Sequence, residues 1–265
     1  MPTSAGVDVG TRGIRAVYGR CPHVLGYLEF SKNEIEEALK FLKGIGVKEL
    51  CLAGGYQWRE VKDHEALSRL YDEVVPNAGR EETHGLRRLL TAALAYFETT
   101  LLPSAGASGE VPEGLLINAL DSGTPDKVAK ANYLIHNGKR TFTMVDKGCF
   151  VSILYVEDGA ITKFVSATRG MPGRCSPGLV DAELLLIYKE WPKDKGSILR
   201  SGVDERVVEA WLDFYRPTFV GEEVLCPSEA CGKYSGALGA FLWCCGKRPK
   251  HLFSDSFTRW ITLKD

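Results

Sequence analysis

Two aspartates stand where buried strands ordinarily carry apolar side chains. Val7-Asp8-Val9-Gly10 and Val145-Asp146-Lys147-Gly148 share a V-D-x-G pattern, each between two β-rich runs and 138 residues apart. A carboxylate at the end of a buried strand is costly unless a cation or a hydrogen-bond donor meets it. The turn after the first aspartate is Gly10-Thr11-Arg12-Gly13. Its glycines leave backbone N–H groups open to an anion, and Thr11 adds a hydroxyl. Phosphate repels carboxylate, so the two belong together when a hydrated Mg²⁺ lies between them. Two such turns facing across a cleft would clamp the phosphates of one nucleotide, with Asp8 and Asp146 toward the metal. The competing account is that each aspartate caps its own tight turn. The repetition favours the clamp.

Other chemistry is less well supported by spacing. The eight cysteines, at 21, 51, 149, 175, 226, 231, 244 and 245, come without a secretion signal. They are therefore expected as reduced thiols in a cytoplasmic protein, acting mainly as small buried hydrophobes. Zinc sites usually pair ligands through a short turn. Cys226 and Cys231 are five apart and Cys244-Cys245 adjacent, which keeps a metal or iron–sulfur site at the C-terminus the least favoured alternative. None of the five histidines lies beside a motif. With 33 basic and 34 acidic residues the net charge is −1, so no global field recruits nucleic acid or anionic lipid. No run approaches the roughly 20 apolar residues of a membrane span.

The elements that must hold these turns follow from period and punctuation. Residues 4–9 and 14–20 read as strands joined by the glycine turn, and 23–30 as a third. Ser31 and Glu34 form a capping-box pair, after which Ile35, Ala38, Leu39 and Leu42 take helical spacing up to Gly44. A strand over 48–53, a helical pattern over 83–102, a Pro/Gly/Ser loop and a short strand at 115–119 come next. Thr124-Pro125-Asp126 opens a helix running to His136. The second half repeats the beginning: a strand over 140–145, then two β-rich runs around Asp158-Gly159, a strong hairpin signal. Helical patterns at 179–191, 204–214 and 228–243 complete it. The fold class expected is α/β, with two similar halves, 1–137 and 138–265, and a cleft between them.

The strand, D-x-G-T turn and strand at residues 6–18, followed by the second D-x-G hairpin, resemble the phosphate loops of the actin-like ATPase superfamily, which includes acetate and sugar kinases. Within it the sequence is similar to an archaeal family of predicted butyrate-kinase-like proteins, long carried as a domain of unknown function. "AGGYQW" at 53–58, "ALDSGTPDKVAKA" at 119–131 and "VSATRGMPGRCSPGLVDAELLL" at 165–186 carry that resemblance. The most specific is the middle stretch, a D-x-G-T-x-D-K signature. What it implies is a pair of ribonuclease-H-like domains binding ATP and Mg²⁺ in a central nucleotide cleft. Asp8, Gly10, Thr11 and Arg12 would form the first phosphate loop, and Asp146, Lys147 and Gly148 the second. "SGALGAFL" at 235–242 is similar to the glycine-containing helix placed against adenosine, through Gly236 and Ala237. Close helix packing is the competing account of its glycines.

Phosphoryl transfer needs positioned cations and a group orienting the nucleophile. Arg169, in "SATRGMPG", is a candidate for neutralising a carboxylate substrate or the γ-phosphate. Asp121 or Asp126 would position the acceptor or the metal. For Asp126 the helix dipole alone is a sufficient reason, with Lys127 and Lys130 as solvated partners. The chain is expected to be an ATP-dependent kinase acting on a small molecule, the short-chain carboxylate being implied by the family alone. A homodimer is compatible with this. Against the family pattern the chain reads as shortened before Asp121 and between Gly202 and Cys226, and Phe150 stands in the second loop. The alternative is therefore a non-catalytic member serving as a nucleotide-regulated or partner-binding scaffold.

Overall fold

The computed structural model describes residues 3–10, 13–55, 60, 62, 84–105, 123–165, 171–176, 178 and 202–250. Among them the chain forms two mixed sheets. Three antiparallel strands begin the first: β1 (Thr3–Val9), β2 (Ile14–Arg20) and β3 (His23–Phe30), with Asp8 directly opposite Arg15. The Ser31 N–H donates to Glu34 Oε2 at 2.7 Å and starts the turn into helix α1 (Ile35–Gly44). The chain returns as β4 (Val47–Ala53), parallel to β1. Helix α2 (His84–Tyr96) then leads to β5 (Glu98–Leu101) beside β4, giving the order β3-β2-β1-β4-β5.

Helix α3 (Pro125–His136) precedes the second sheet, made of β6 (Phe142–Lys147), β7 (Val151–Glu157), β8 (Ala160–Val165) and β9 (Glu222–Cys226). Its order is β8-β7-β6-β9, again an antiparallel meander with a parallel strand on the other side of its first member. Helices α4 (Glu205–Tyr215) and α5 (Ser235–Cys244) flank it in sequence.

Period-2 alternation decides where the aspartates point. On β1, Ala5 and Val7 join Leu39, Leu42 and Leu89 in the core beneath α1 and α2. Ser4, Gly6 and Asp8 therefore occupy the other face, and a Cβ on Gly6 would lie 2.0 Å from the backbone nitrogen of Phe241 in α5. On β6, Phe142 and Met144 pack with Val128, Ala129 and Leu134 of α3, while Val145 packs with Val208 and Leu212 of α4. Asp146 shares the face of Met144. Helices α3 and α5 thus lie between the two sheets, and both strand-end aspartates face them. Helix α5 is apolar all round because it is buried on all sides.

Several expectations are corrected. The pattern read as one helix over 83–102 is a helix to Tyr96 followed by a strand, because Thr99 and Thr100 pair with Leu50 and Cys51. The helical pattern over 228–243 narrows to α5. Strand β9, missing from the sequence reading, occupies the segment expected to be shortened. It is short and opens on Glu222-Glu223, which masks its period. Asp146 and Lys147 belong to β6 rather than to a turn. The cysteines are paired rather than reduced: Cys21–Cys245, Cys51–Cys244, Cys149–Cys175 and Cys226–Cys231, with Cα–Cα distances of 5.3, 5.6, 5.0 and 5.1 Å. Partners up to 224 residues apart are invisible to spacing. The Asp158-Gly159 turn has φ of 47° and 78°, as a tight hairpin requires. The strand expected over 115–119 and the helix over 179–191 fall outside the described residues.

Candidate functional site

A pocket of about 540 Å³ opens where the ends of β1 and β6 meet the first turns of α3 and α5. Asp8, Gly10, Asp126, Asp146, Lys147 and Gly148 all line it, six of the residues singled out by pattern. The glycine turn after Asp8 is closed by a Gly10 N–H to Gly13 carbonyl bond of 3.0 Å. Thr11 and Arg12 within that turn lie outside the described residues, as do Asp121 and Arg169. Phe150 also lines the pocket.

Gly236 and Ala237 have packing roles. A Cβ on Gly236 would sit 2.5 Å from Asp8 Oδ2, so the bare backbone of α5 is what admits the aspartate. Ala237 is fully buried with Val17 and Phe241, and neither it nor Gly236 lines the pocket. Gly239 allows a still closer approach, since its Cβ would meet the Ala129 carbonyl oxygen of α3 at 1.7 Å. The Asn132 side-chain amide completes that helix contact by donating to the Gly239 carbonyl at 3.0 Å.

The electrostatics come from α3. Thr124 donates its hydroxyl hydrogen to Asp126 Oδ1 at 2.6 Å, and Lys127 Nζ donates to Asp126 Oδ2 at 2.5 Å. One turn on, Lys130 Nζ donates to Asp146 Oδ2 at 2.8 Å, with Lys127 Nζ at 3.6 Å from the same oxygen. The two lysines are not solvated partners of Asp126, as their helical position suggested; their side chains are 14% and 19% exposed. Asp8 meets Arg15 Nη1 at 3.9 Å across the β1–β2 pair. Arg15 continues to Glu29, which pairs with Lys233 ahead of α5. Asp8, Asp126 and Asp146 therefore share the pocket wall with Arg15, Lys127 and Lys130, and Lys147, Arg174 and Lys233 line it as well.

Burial pushes the Asp8 carboxyl up to about 6, partly opposed by Lys130 and reinforced by Asp126. Burial would also raise Asp126, but the charges of Lys127 and Lys130 and the hydrogen bonds from Lys127 and Thr124 outweigh it and hold that carboxyl at about 2. For Lys127 and Lys130 burial favours the neutral amine, and the facing carboxylates reverse this and raise both. Lys147 is engaged by Glu205, at 2.5 Å, and by Glu209 of α4. Asp146 is 1% exposed, and its Oδ1 has no hydrogen-bond partner. A buried carboxylate oxygen left without a donor, on the same pocket as the buried carboxylate of Asp8, can serve as an oxygen ligand to a hard divalent cation. Among the described residues no three His, Cys, Asp or Glu side chains cluster as a metal site, so the fit to Mg²⁺ is that of a hydrated ion held by these two carboxylates.

Sequence reasoning undervalued Lys127, Lys130 and Arg15. The signal was available in part: Asp126, Lys127 and Lys130 fall within one turn of a helix, while Arg15 is identified only by its register with Asp8.

The fold is similar to that of a propionate kinase from Francisella tularensis, with a TM-score of 0.51 at 12% identity over 81% of this chain and 74% of that one. An acetate kinase from Entamoeba histolytica gives 0.47 at 12% identity, covering 81% and 72% of the two chains. A ROK hexokinase from Thermus thermophilus gives 0.43 at 14% identity, covering 91% and 97%. No curated protein matches the sequence. Residues 6–217 match the family described as a protein of unknown function, DUF1464, and the chain belongs to that family.

Proposed function

We propose that this protein is an ATP-dependent phosphotransferase acting on a small molecule, with two ribonuclease-H-like halves, 1–137 and 138–265, that clamp the nucleotide. The observation that carries this reading is the convergence of Asp8 and Asp146, from the ends of equivalent strands, on one pocket where Asp146 Oδ1 lacks a partner. Asp8 and Asp146 would hold hydrated Mg²⁺, which neutralises phosphate charge when bound. Gly10, Thr11 and Arg12 would receive one end of the phosphate chain through backbone N–H groups, and Lys147 and Gly148 the other. Asp121, Asp126 and Arg169 remain the candidates for orienting the acceptor and meeting the charge that develops in transfer. The kinase activity in the printed names of similar folds supports the reaction class, and a short-chain carboxylate is the first acceptor to try. A homodimer is compatible with the reading, and a cytoplasmic location, where ATP is supplied, would require that compartment to keep the four disulfides, as those of hyperthermophiles do.

The engagement of Lys147 by Glu205 and Glu209 favours a second reading, a nucleotide-regulated or partner-binding scaffold without turnover. Calorimetric titration with ATP, with and without MgCl₂, tests both. Mg-dependent binding that falls at least about 100-fold in Asp8→Asn and in Asp146→Asn, followed by phosphorylation in a screen of small carboxylates, is the result expected of the enzyme. Binding without any phosphorylated product supports the scaffold. No binding by the wild-type protein overturns the clamp.

A further inference from the structure

Lys127 and Lys130 have no role in that reading, yet they are the most enclosed cations of the pocket. Both come from the first two turns of α3, three residues apart and so on one face of the helix. A lysine in the first turn of a helix opposes the helix dipole, and Lys127 does so in a largely buried position. Such a placement is stable only with anions nearby. In the protein as described those anions are Asp126 and Asp146.

We propose, on the footing of the clamp above, that Lys127 and Lys130 are the binding site for the terminal phosphoryl group of the nucleotide, and that Asp126 and Asp146 hold their ammonium groups in place while the site is empty. Three features support this. Both lysines line the same pocket as Asp8 and Gly10, so they lie where a phosphate chain held by the glycine turn would end. Lys130 bonds only one oxygen of Asp146, and the other has no partner, so the carboxylate has capacity for a second cation without being buried bare. Finally, Asp8, Asp126 and Asp146 are matched by Arg15, Lys127 and Lys130 when the site is empty, while the other cations of the wall, Lys147, Arg174 and Lys233, are engaged by Glu205, Glu209 and Glu29. A polyphosphate entering alone would meet three carboxylates. Entering with a divalent cation for those carboxylates, it finds two ammonium groups free to turn toward its oxygens. Lysine suits the task because its three donors rotate on a flexible stem, so it can exchange a carboxylate for a phosphate without moving the helix.

The assignment separates ATP from ADP, which lacks the terminal group. Calorimetric affinities for both nucleotides in MgCl₂ would be measured on the full chain, for the wild type and for Lys127→Met and Lys130→Met. Each substitution should weaken ATP by about 10- to 100-fold, the loss of a charge-assisted hydrogen bond, and ADP by less than about threefold. Lys130→Arg should keep most of the ATP affinity. Because a lone methionine leaves a buried carboxylate unpaired, Lys127→Met/Asp126→Asn removes the pair together and should show the same loss confined to ATP. Equal losses for ATP and ADP, or none for either, would overturn the assignment while the clamp stands. A wild-type protein that binds neither nucleotide overturns the clamp and this assignment with it.

Discussion

The bare Cα of Gly236 lies against the carboxylate of Asp8: a Cβ there would come within 2.5 Å of Oδ2 and 2.7 Å of Cγ. The first turn of α5 and the end of β1 are therefore fitted to each other, and the glycine serves the pocket through the aspartate. Gly236→Ala should push Asp8 aside, lower stability by about 1–3 kcal/mol as overpacking does, and weaken Mg-dependent ATP binding more than about tenfold. Gly44→Ala, with nothing within 4 Å of its added Cβ and no place on the pocket, is the control and should lower neither. Thermal melts and calorimetry on the two variants check this, and equal behaviour of both would refute the fitted contact.

Gly239 sets the distance between the helices that separate the sheets. Its added Cβ would meet backbone, the Ala129 carbonyl at 1.7 Å, rather than a side chain that can rotate away. Gly239→Ala should therefore destabilise by about 3 kcal/mol or more, at the upper end for overpacked cores. A shift in urea midpoint measures it. Because Asp8 and Asp146 face opposite helices of this pair, nucleotide affinity should fall as well.

Asp8 and Asp126 give opposite pH dependences. Asp8 ionises at about 6 in the folded protein against 3.8 unfolded, so the folded state takes up its proton first. Its ionised form costs about 3 kcal/mol above pH 6, a cost removed as pH falls toward 4. Asp126, at about 2 when folded, contributes about 2 kcal/mol above pH 4 that is lost as pH falls from 4 to 2. Asp8→Asn should therefore be more stable than the wild type at pH 8 and equal to it near pH 4, while losing Mg-dependent binding. Urea unfolding of both proteins from pH 3 to 8 tests this. A variant less stable at pH 8 would show that Asp8 is held by its turn rather than penalised by burial.

Cys244 and Cys245 tie the end of α5 to the first sheet at Cys51 and Cys21. Protein denatured without reductant should show no reactive thiols, and eight after reduction. Closing a loop as long as that between Cys21 and Cys245 is worth up to about 5 kcal/mol through the unfolded state, so reduction should lower the Tm by several degrees. Free thiols at both positions in the oxidised protein would contradict the pairing.

Much of this protein is legible in its residues alone. The V-D-x-G repeats, the Ser31–Glu34 cap, the Asp158-Gly159 turn and Thr124-Pro125 are local signals, and their elements lie close to where those signals put them. The matching strand orders of the two sheets give both repeats the same place, and Asp8 and Asp146 line one pocket there. What period and spacing could not supply were contacts between distant segments. The Cys21–Cys245 and Cys51–Cys244 disulfides, the burial of Lys127 and Lys130 and the fitting of Gly236 to Asp8 depend on two helices meeting between two sheets, and Arg15 is brought to Asp8 by the β1–β2 register. Strand β9 escaped because an edge strand opening on two glutamates has little period to read. The sequence by itself determined where the two V-D-x-G segments and their flanking strands lie, because turn chemistry and strand period are local. Only the tertiary structure decided which charges face them, because a buried charge takes its partner from whatever chain is packed against it.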